Sequence, residues 1–174
     1  TDAAWVRDLC RDVRSARPDL PILLGGPHAI LLPEQTAKSE LFDYVCTGPG
    51  EETAAGLLDA LAAGSDPSGV PGLVFRRGGT LVRTAEPAPP PDYPIDYELL
   101  PQRKKATYAR YFEILAGRGC SFACAFCYNA VCGFKWRGKT AEDLADEVED
   151  AVERYDPELI YFRDENFFHS RKRI

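Results

Sequence analysis

Short apolar runs that empty into glycine turns alternate along this chain with stretches of helical period, and that alternation confines the fold to α/β, with helices packed on a parallel sheet. From Ala3 to Ala16 the apolar residues Val6, Leu9, Cys10 and Val13 recur three and four apart, the period of a one-faced helix that Pro18 and Pro21 close. Pro21 to Leu24 reads as a strand running into Gly25-Gly26-Pro27-His28, a helix opens near Pro33, and Asp43 to Thr47 reads as a second strand. Gly48-Pro49-Gly50-Glu51-Glu52-Thr53 then opens a helix reaching about Ala63. Gly72 to Arg77 and Leu81 to Thr84 flank Arg77-Gly78-Gly79-Thr80, where paired glycines supply the positive φ of a primed hairpin turn.

Five of the eight residues from Pro87 to Pro94 are proline, which predicts a stiff extended connector without a core of its own. The expected division is therefore a first domain over 1–85, a linker over 86–107 and a second domain over 108–174. In the second, Tyr111 to Ala116 reads as a strand ending at Gly117-Arg118-Gly119, and a cysteine-rich loop follows. Thr140, with Asp143 three residues on, starts a helix whose expected core face is Leu144, Val148, Val152 and Tyr155. Leu159 to Phe162 is the next strand, and Asp164-Glu165-Asn166 leaves its carboxyl end. Strand, loop, helix, strand is one βαβ unit, with ligands expected beyond the carboxyl ends of its strands.

With 27 acidic against 21 basic residues the net charge is −6, so no overall field gathers nucleic acid or an anionic membrane. The acids Glu142, Asp143, Asp146, Glu147, Glu149, Asp150 and Glu153 read as one solvated helix face. No apolar run reaches the roughly 18 to 20 residues of a membrane span, and no basic-then-apolar leader opens the chain, so a cytoplasmic location is expected. The chain has no methionine and opens within a helical pattern; it is expected to be an internal fragment of a longer protein.

The six cysteines divide unevenly. Cys10 and Cys46 lie in apolar segments and are expected to pack as small hydrophobes. Cys120, Cys124 and Cys127 fall in Gly119-Cys120-Ser121-Phe122-Ala123-Cys124-Ala125-Phe126-Cys127-Tyr128, a spacing that lets one loop curl three thiolates around one inorganic centre, zinc or iron–sulfur. A structural zinc wants four ligands, and the nearby fourth is Cys132, itself expected to pack or sit at the surface. Arg118 and Arg137 are further candidates for a carboxylate or phosphate.

This spacing, with an aromatic residue before the last cysteine and a strand just upstream, resembles the radical S-adenosylmethionine (SAM) superfamily. The resemblance implies a 4Fe–4S cluster on Cys120, Cys124 and Cys127, with an open iron that takes the amino and carboxylate groups of SAM. It also implies that the backbone at Phe126 lies against the adenine, and that reductive cleavage yields a 5′-deoxyadenosyl radical. The family's Gly-Gly-Glu segment, which holds the methionine amino group, corresponds here to Arg163-Asp164-Glu165; the glycines are missing, and either Asp164 or Glu165 would keep the role.

Leu24-Gly25-Gly26-Pro27-His28-Ala29, Asp43 to Gly48, Gly50-Glu51-Glu52-Thr53 and Val70 to Phe75 follow one another as in the cobalamin-binding domain that precedes the radical domain in one subfamily. That resemblance implies the end of a doubly wound Rossmann-like domain, with Gly25 and Gly26 against cobalamin, followed by the start of a partial (β/α)6 TIM-like barrel. Pro49 stands where the pattern usually has glutamate, and His28 is expected to settle its turn by hydrogen bonding. The implied activity is methylation of an unactivated carbon of a small-molecule, natural-product-like substrate, with flavodoxin or ferredoxin as electron donor. Radical cyclisation or rearrangement without cobalamin, and a structural zinc module, are the alternatives.

Overall fold

The computed structural model describes residues 3–89, 91, 97–99, 111–132 and 135–169, which fall into two compact units, Thr1–Pro91 and Asp92–Ile174. Most of the expected linker lies outside the described residues. Its start does not: a Cβ on Gly48 would stand 2.6 Å from Pro87 Cγ, so Pro87 packs into the first unit. Among the described residues no helix is long and apolar enough to cross a membrane.

The first unit runs α1 (Ala3–Ala16), β1 (Leu23–Leu24), α2 (Pro27–Leu31), α3 (Pro33–Ala37), β2 (Tyr44–Cys46), α4 (Glu51–Ala62), β3 (Leu73–Arg77) and β4 (Thr80–Arg83). The sheet order is β1-β2-β3-β4, with β1 and β2 parallel and the β3–β4 hairpin added antiparallel. Alternation along the strands loads both faces. Val45 and Val74 pack with Ala29 of α2 and Ala37 of α3, while Leu73 and Phe75 pack with Leu57 of α4 and with Tyr44. Gly78 and Gly79 take φ values of 54° and 83°, the primed turn expected of them.

An ion pair ties helix α1 to the chain entering the sheet. The Arg14 guanidinium donates to Asp43 Oδ2 (2.6 Å), which also accepts from the Ile22 N–H (2.8 Å) at the start of β1. Cys10 is buried, as is Cys46 on β2. Leu9, expected on the core face, is instead exposed, because the helix turns that edge away from the sheet. Two short helices, α2 and α3, replace the one expected near Pro33: Pro33 lacks the N–H that would continue α2 and starts α3.

The second unit contains β5 (Tyr111–Ile114), β6 (Gly117–Arg118), α5 (Tyr128–Cys132), β7 (Arg137–Gly138), α6 (Ala141–Tyr155) and β8 (Leu159–Phe162). Strands β5 and β8 are parallel, and α6 between them covers one face. Phe112, Ile114, Ile160 and Phe162 meet Leu144, Val148, Ala151 and Tyr155 there. The helix face thus differs from expectation at one position: Val152 is 48% exposed and Ala151 takes the inward place. Spacing of i, i+4, i+7 and i+11 keeps one line along a 3.6-residue helix, whereas Val152 steps off it. Glu147 also leaves the acidic face and pairs, half-buried, with Lys139.

Thr140 caps α6: its Oγ1 accepts from the Asp143 N–H at 3.0 Å. Thr140→Ala is expected to lower stability by about 1 kcal/mol, read as a fall in denaturation midpoint at unchanged far-ultraviolet dichroism. A Thr140→Asn variant should recover most of it.

Candidate functional site

Strand β5 continues through the buried Ala116 into β6, which pairs antiparallel with β7 in a two-residue ladder, where the sequence predicts that the strand ends. The cysteine loop, residues 119–127, starts where β6 ends. Gly119 takes φ 76°, a conformation that favours glycine and turns the chain into the loop.

Two carboxylates that follow β8 grip this backbone. The Ala116 N–H donates to Asp164 Oδ2 at 3.0 Å, and the Gly119 N–H donates to Glu165 Oε2 at 3.1 Å. Parallel pairing of β5 with β8 makes this possible, since it brings both carboxyl ends to one edge. The other carboxylate oxygen of Asp164, Oδ1, is buried and has no hydrogen-bond partner among the described residues. A buried acceptor in that state is costly, and an incoming ammonium would relieve it.

Within the loop, Cys120 is held from behind: the buried Asn129 on α5 donates from Nδ2 to the Cys120 carbonyl at 2.9 Å. The Cys127 N–H donates to the Cys124 carbonyl at 2.9 Å, so these two cysteines close a turn over Ala125 and Phe126. Phe126 stands at its corner, 94% exposed. Cys124 is exposed, while Cys120, Cys127 and Cys132 are half-buried. Among the described residues no three such side chains converge on one ion's position. The loop brings the three thiols to one stretch without gathering them around a single atom, and an iron–sulfur cluster takes one thiolate on each of several irons.

Burial raises the Cys132 thiol above its usual range, and the neighbouring Cys127 adds to this. Burial likewise raises the Tyr128 hydroxyl, followed by Glu165, Cys132 and Cys127, which places those groups about the start of α5. Arg118 and Arg137 are opposite one another in the β6–β7 register and exposed. Sequence reasoning missed the supporting groups Asn129, Trp136 and His169, and with them the short helix α5 that carries Asn129.

In the first unit, Gly25 and Gly26 leave the carboxyl end of β1. Gly26 has φ 89°, and a Cβ built on it meets nothing within 4 Å, so the turn is open on that side and leaves room for a group to approach the backbone. His28 is exposed, and its ring makes no hydrogen bond among the described residues; the role expected of it in settling the turn is not met. The Gly48-Pro49-Gly50 turn lies at the carboxyl end of β2, the parallel neighbour of β1.

Comparison with known proteins extends these observations. The family described as the B12 binding domain matches residues 1–58, a stretch containing both glycine turns. An uncharacterized methyltransferase of Pyrococcus horikoshii is 34% identical over 99% of this chain and 38% of its own length. An anaerobic magnesium-protoporphyrin IX monomethyl ester cyclase of Synechocystis sp. is 29% identical over 88% of this chain and 32% of its own. The chain thus spans about a third of the length of these relatives. Among solved structures, the radical SAM methyltransferase TsrM from Kitasatospora setae shares the fold. With tryptophan substrate and a SAM analogue bound, its TM-score is 0.66 at 21% identity, covering 93% of this chain and 33% of that one. With cobalamin and a 4Fe–4S cluster bound, the TM-score is 0.65.

Proposed function

We propose that this chain, a relative of the radical SAM enzymes that carry an N-terminal cobalamin-binding domain, is the part of such an enzyme that joins the two cofactor sites. Residues 1–85 would be the later part of the cobalamin-binding domain, and 108–174 the opening of the catalytic barrel. Cys120, Cys124 and Cys127 hold the 4Fe–4S cluster, Asp164 takes the amino group of SAM, and Gly25 and Gly26 let cobalamin approach the first sheet. When bound, such a cluster would supply the electron that cleaves SAM reductively to methionine and a 5′-deoxyadenosyl radical, and cobalamin would supply a carrier for a methyl group.

The observation that carries the reading is the grip of Asp164 and Glu165 on the backbone at Ala116 and Gly119. It fixes the cysteine loop at the carboxyl edge of a parallel strand pair and leaves one buried carboxylate oxygen for a cation. It also distinguishes the two acids: Glu165 is exposed, whereas Asp164 offers the desolvated acceptor, where a charge-assisted bond is strongest. The barrel reading is supported by the face of β5 and β8 turned away from α6, which exposes Tyr111, Glu113, Leu159 and Tyr161 and would form part of a barrel interior.

Methylation of a small-molecule substrate is the activity best supported, by the B12-domain match together with a methyltransferase relative. The likeness to a cyclase makes ring closure the second reading. Corrin absorbance in the full-length protein, purified anaerobically, separates a cobalamin-loaded enzyme from one that works without it. The decisive experiment is electron paramagnetic resonance of the reduced full-length protein with and without SAM. About four irons and four sulfides per chain and a spectrum that shifts on adding SAM are expected; a single zinc without sulfide would sink the proposal.

A further inference from the structure

His169 lies beyond β8, yet its ring stacks on that of Trp136, with centroids 4.2 Å apart and planes within 9°. Trp136 itself is fixed by the β6–β7 ladder. A Cβ on Gly117 would stand 2.9 Å from its Nε1, and one on Gly138 would stand 2.5 Å from its Cζ2; the two glycines open the space that the indole fills. From this platform His169 Nδ1 shares a hydrogen bond of 3.1 Å with Ser121 Oγ, 48 residues earlier and next to Cys120.

Three contacts therefore converge on one end of the loop. Glu165 holds the Gly119 N–H, Asn129 holds the Cys120 carbonyl, and His169 holds the Ser121 side chain. The other end has the turn bond from Cys127 to Cys124, and Cys124 is exposed.

We propose that His169, seated on Trp136 and hydrogen-bonded to Ser121, is a positioning residue that presets Cys120 as a fixed ligand of the loop, ahead of the exposed Cys124. The assignment of a ligand role rests on the cluster reading above; the positioning itself does not. Flat stacking removes the ring's freedom to swing, so its Nδ1 meets Ser121 without a further ordering cost. A ring that merely packed on Trp136 would need no hydroxyl at 121.

The test uses the full-length protein with Ser121→Ala, His169→Ala, the double variant and His169→Asn, whose amide keeps a polar atom near the place of Nδ1. In apoprotein the alkylation rate of each cysteine by iodoacetamide, read by peptide mass spectrometry, should rank Cys120 below Cys124. Either single alanine should raise the Cys120 rate by about 3- to 10-fold, as loss of one ordinary hydrogen bond does. The double variant should do no more than one single, because both remove the same bond, and His169→Asn should restore the rate in part. In loaded protein the same alanines should speed iron loss to a chelator.

Unchanged Cys120 alkylation in Ser121→Ala, an exposed position whose truncation leaves the fold intact, would overturn the proposal, as would additive effects in the double variant or no recovery with asparagine. Wild-type protein that assembles no cluster yet shows the alkylation pattern would defeat the cluster reading and leave the positioning standing. A loaded wild type without the pattern would do the reverse.

Discussion

Cys124→Ala in the full-length protein is expected to abolish cluster assembly and SAM cleavage, with iron and sulfide near background after anaerobic reconstitution. A cluster that rests on three thiolates has no spare ligand, so removing one leaves two of its irons without a protein ligand. The substitution isolates that chemistry. Cys124 is exposed, so the change creates no cavity, and its carbonyl, which accepts from the Cys127 N–H, stays in place. Cys132→Ala is the matched control: it removes a half-buried thiol that lies outside the Cys120, Cys124 and Cys127 spacing, and iron content should stay at the wild-type level. Equal loss of metal in both variants would contradict the triad and favour a four-thiolate zinc site.

The second large effect is expected at Asp164. Asp164→Asn keeps an oxygen for the Ala116 N–H, so the fold should hold, but it replaces the unpartnered Oδ1 with an amide that repels an ammonium. A charge-assisted hydrogen bond contributes about 1.5–3 kcal/mol, so SAM affinity should fall by roughly 10- to 100-fold. Cluster iron should be unaffected. Equilibrium binding of SAM to the reconstituted protein measures this, and an unchanged affinity would move the role to Glu165 or away from both. Asp164→Ala also removes the acceptor used by the Ala116 N–H and should lower stability as well, by about 1–3 kcal/mol. The asparagine variant is therefore the cleaner probe.

Much of this was legible in the sequence wherever the governing rule is local. The Gly78-Gly79 turn, the Thr140 cap, the burial of Cys10 and Cys46, and the run from strand to cysteine loop to helix to strand each depend on a few neighbouring residues. The likeness to cobalamin-binding radical enzymes rested on such short motifs, and the B12-domain match over residues 1–58 agrees with it. The misses arose where local signals were ambiguous. Val152 and Ala151 are both apolar and adjacent, and a small rotation of α6 on β5 and β8 decides between them. His28 follows two glycines and a proline, a setting that suits a hydrogen-bonded turn, yet its ring faces solvent.

From the chain alone came the expectation of an inorganic centre held by thiolates, zinc or iron–sulfur, and its place along the polymer, because thiolate chemistry and spacing are properties of a dozen consecutive residues. What holds the loop came only from tertiary structure. Glu165 and His169 reach it across 46 and 48 residues, and Asp164 holds the chain that feeds it, at Ala116, across 48. No periodicity spans such a gap; parallel pairing of β5 with β8, driven by burying Phe112, Ile114, Ile160 and Phe162 under α6, is what brings the two carboxyl ends together.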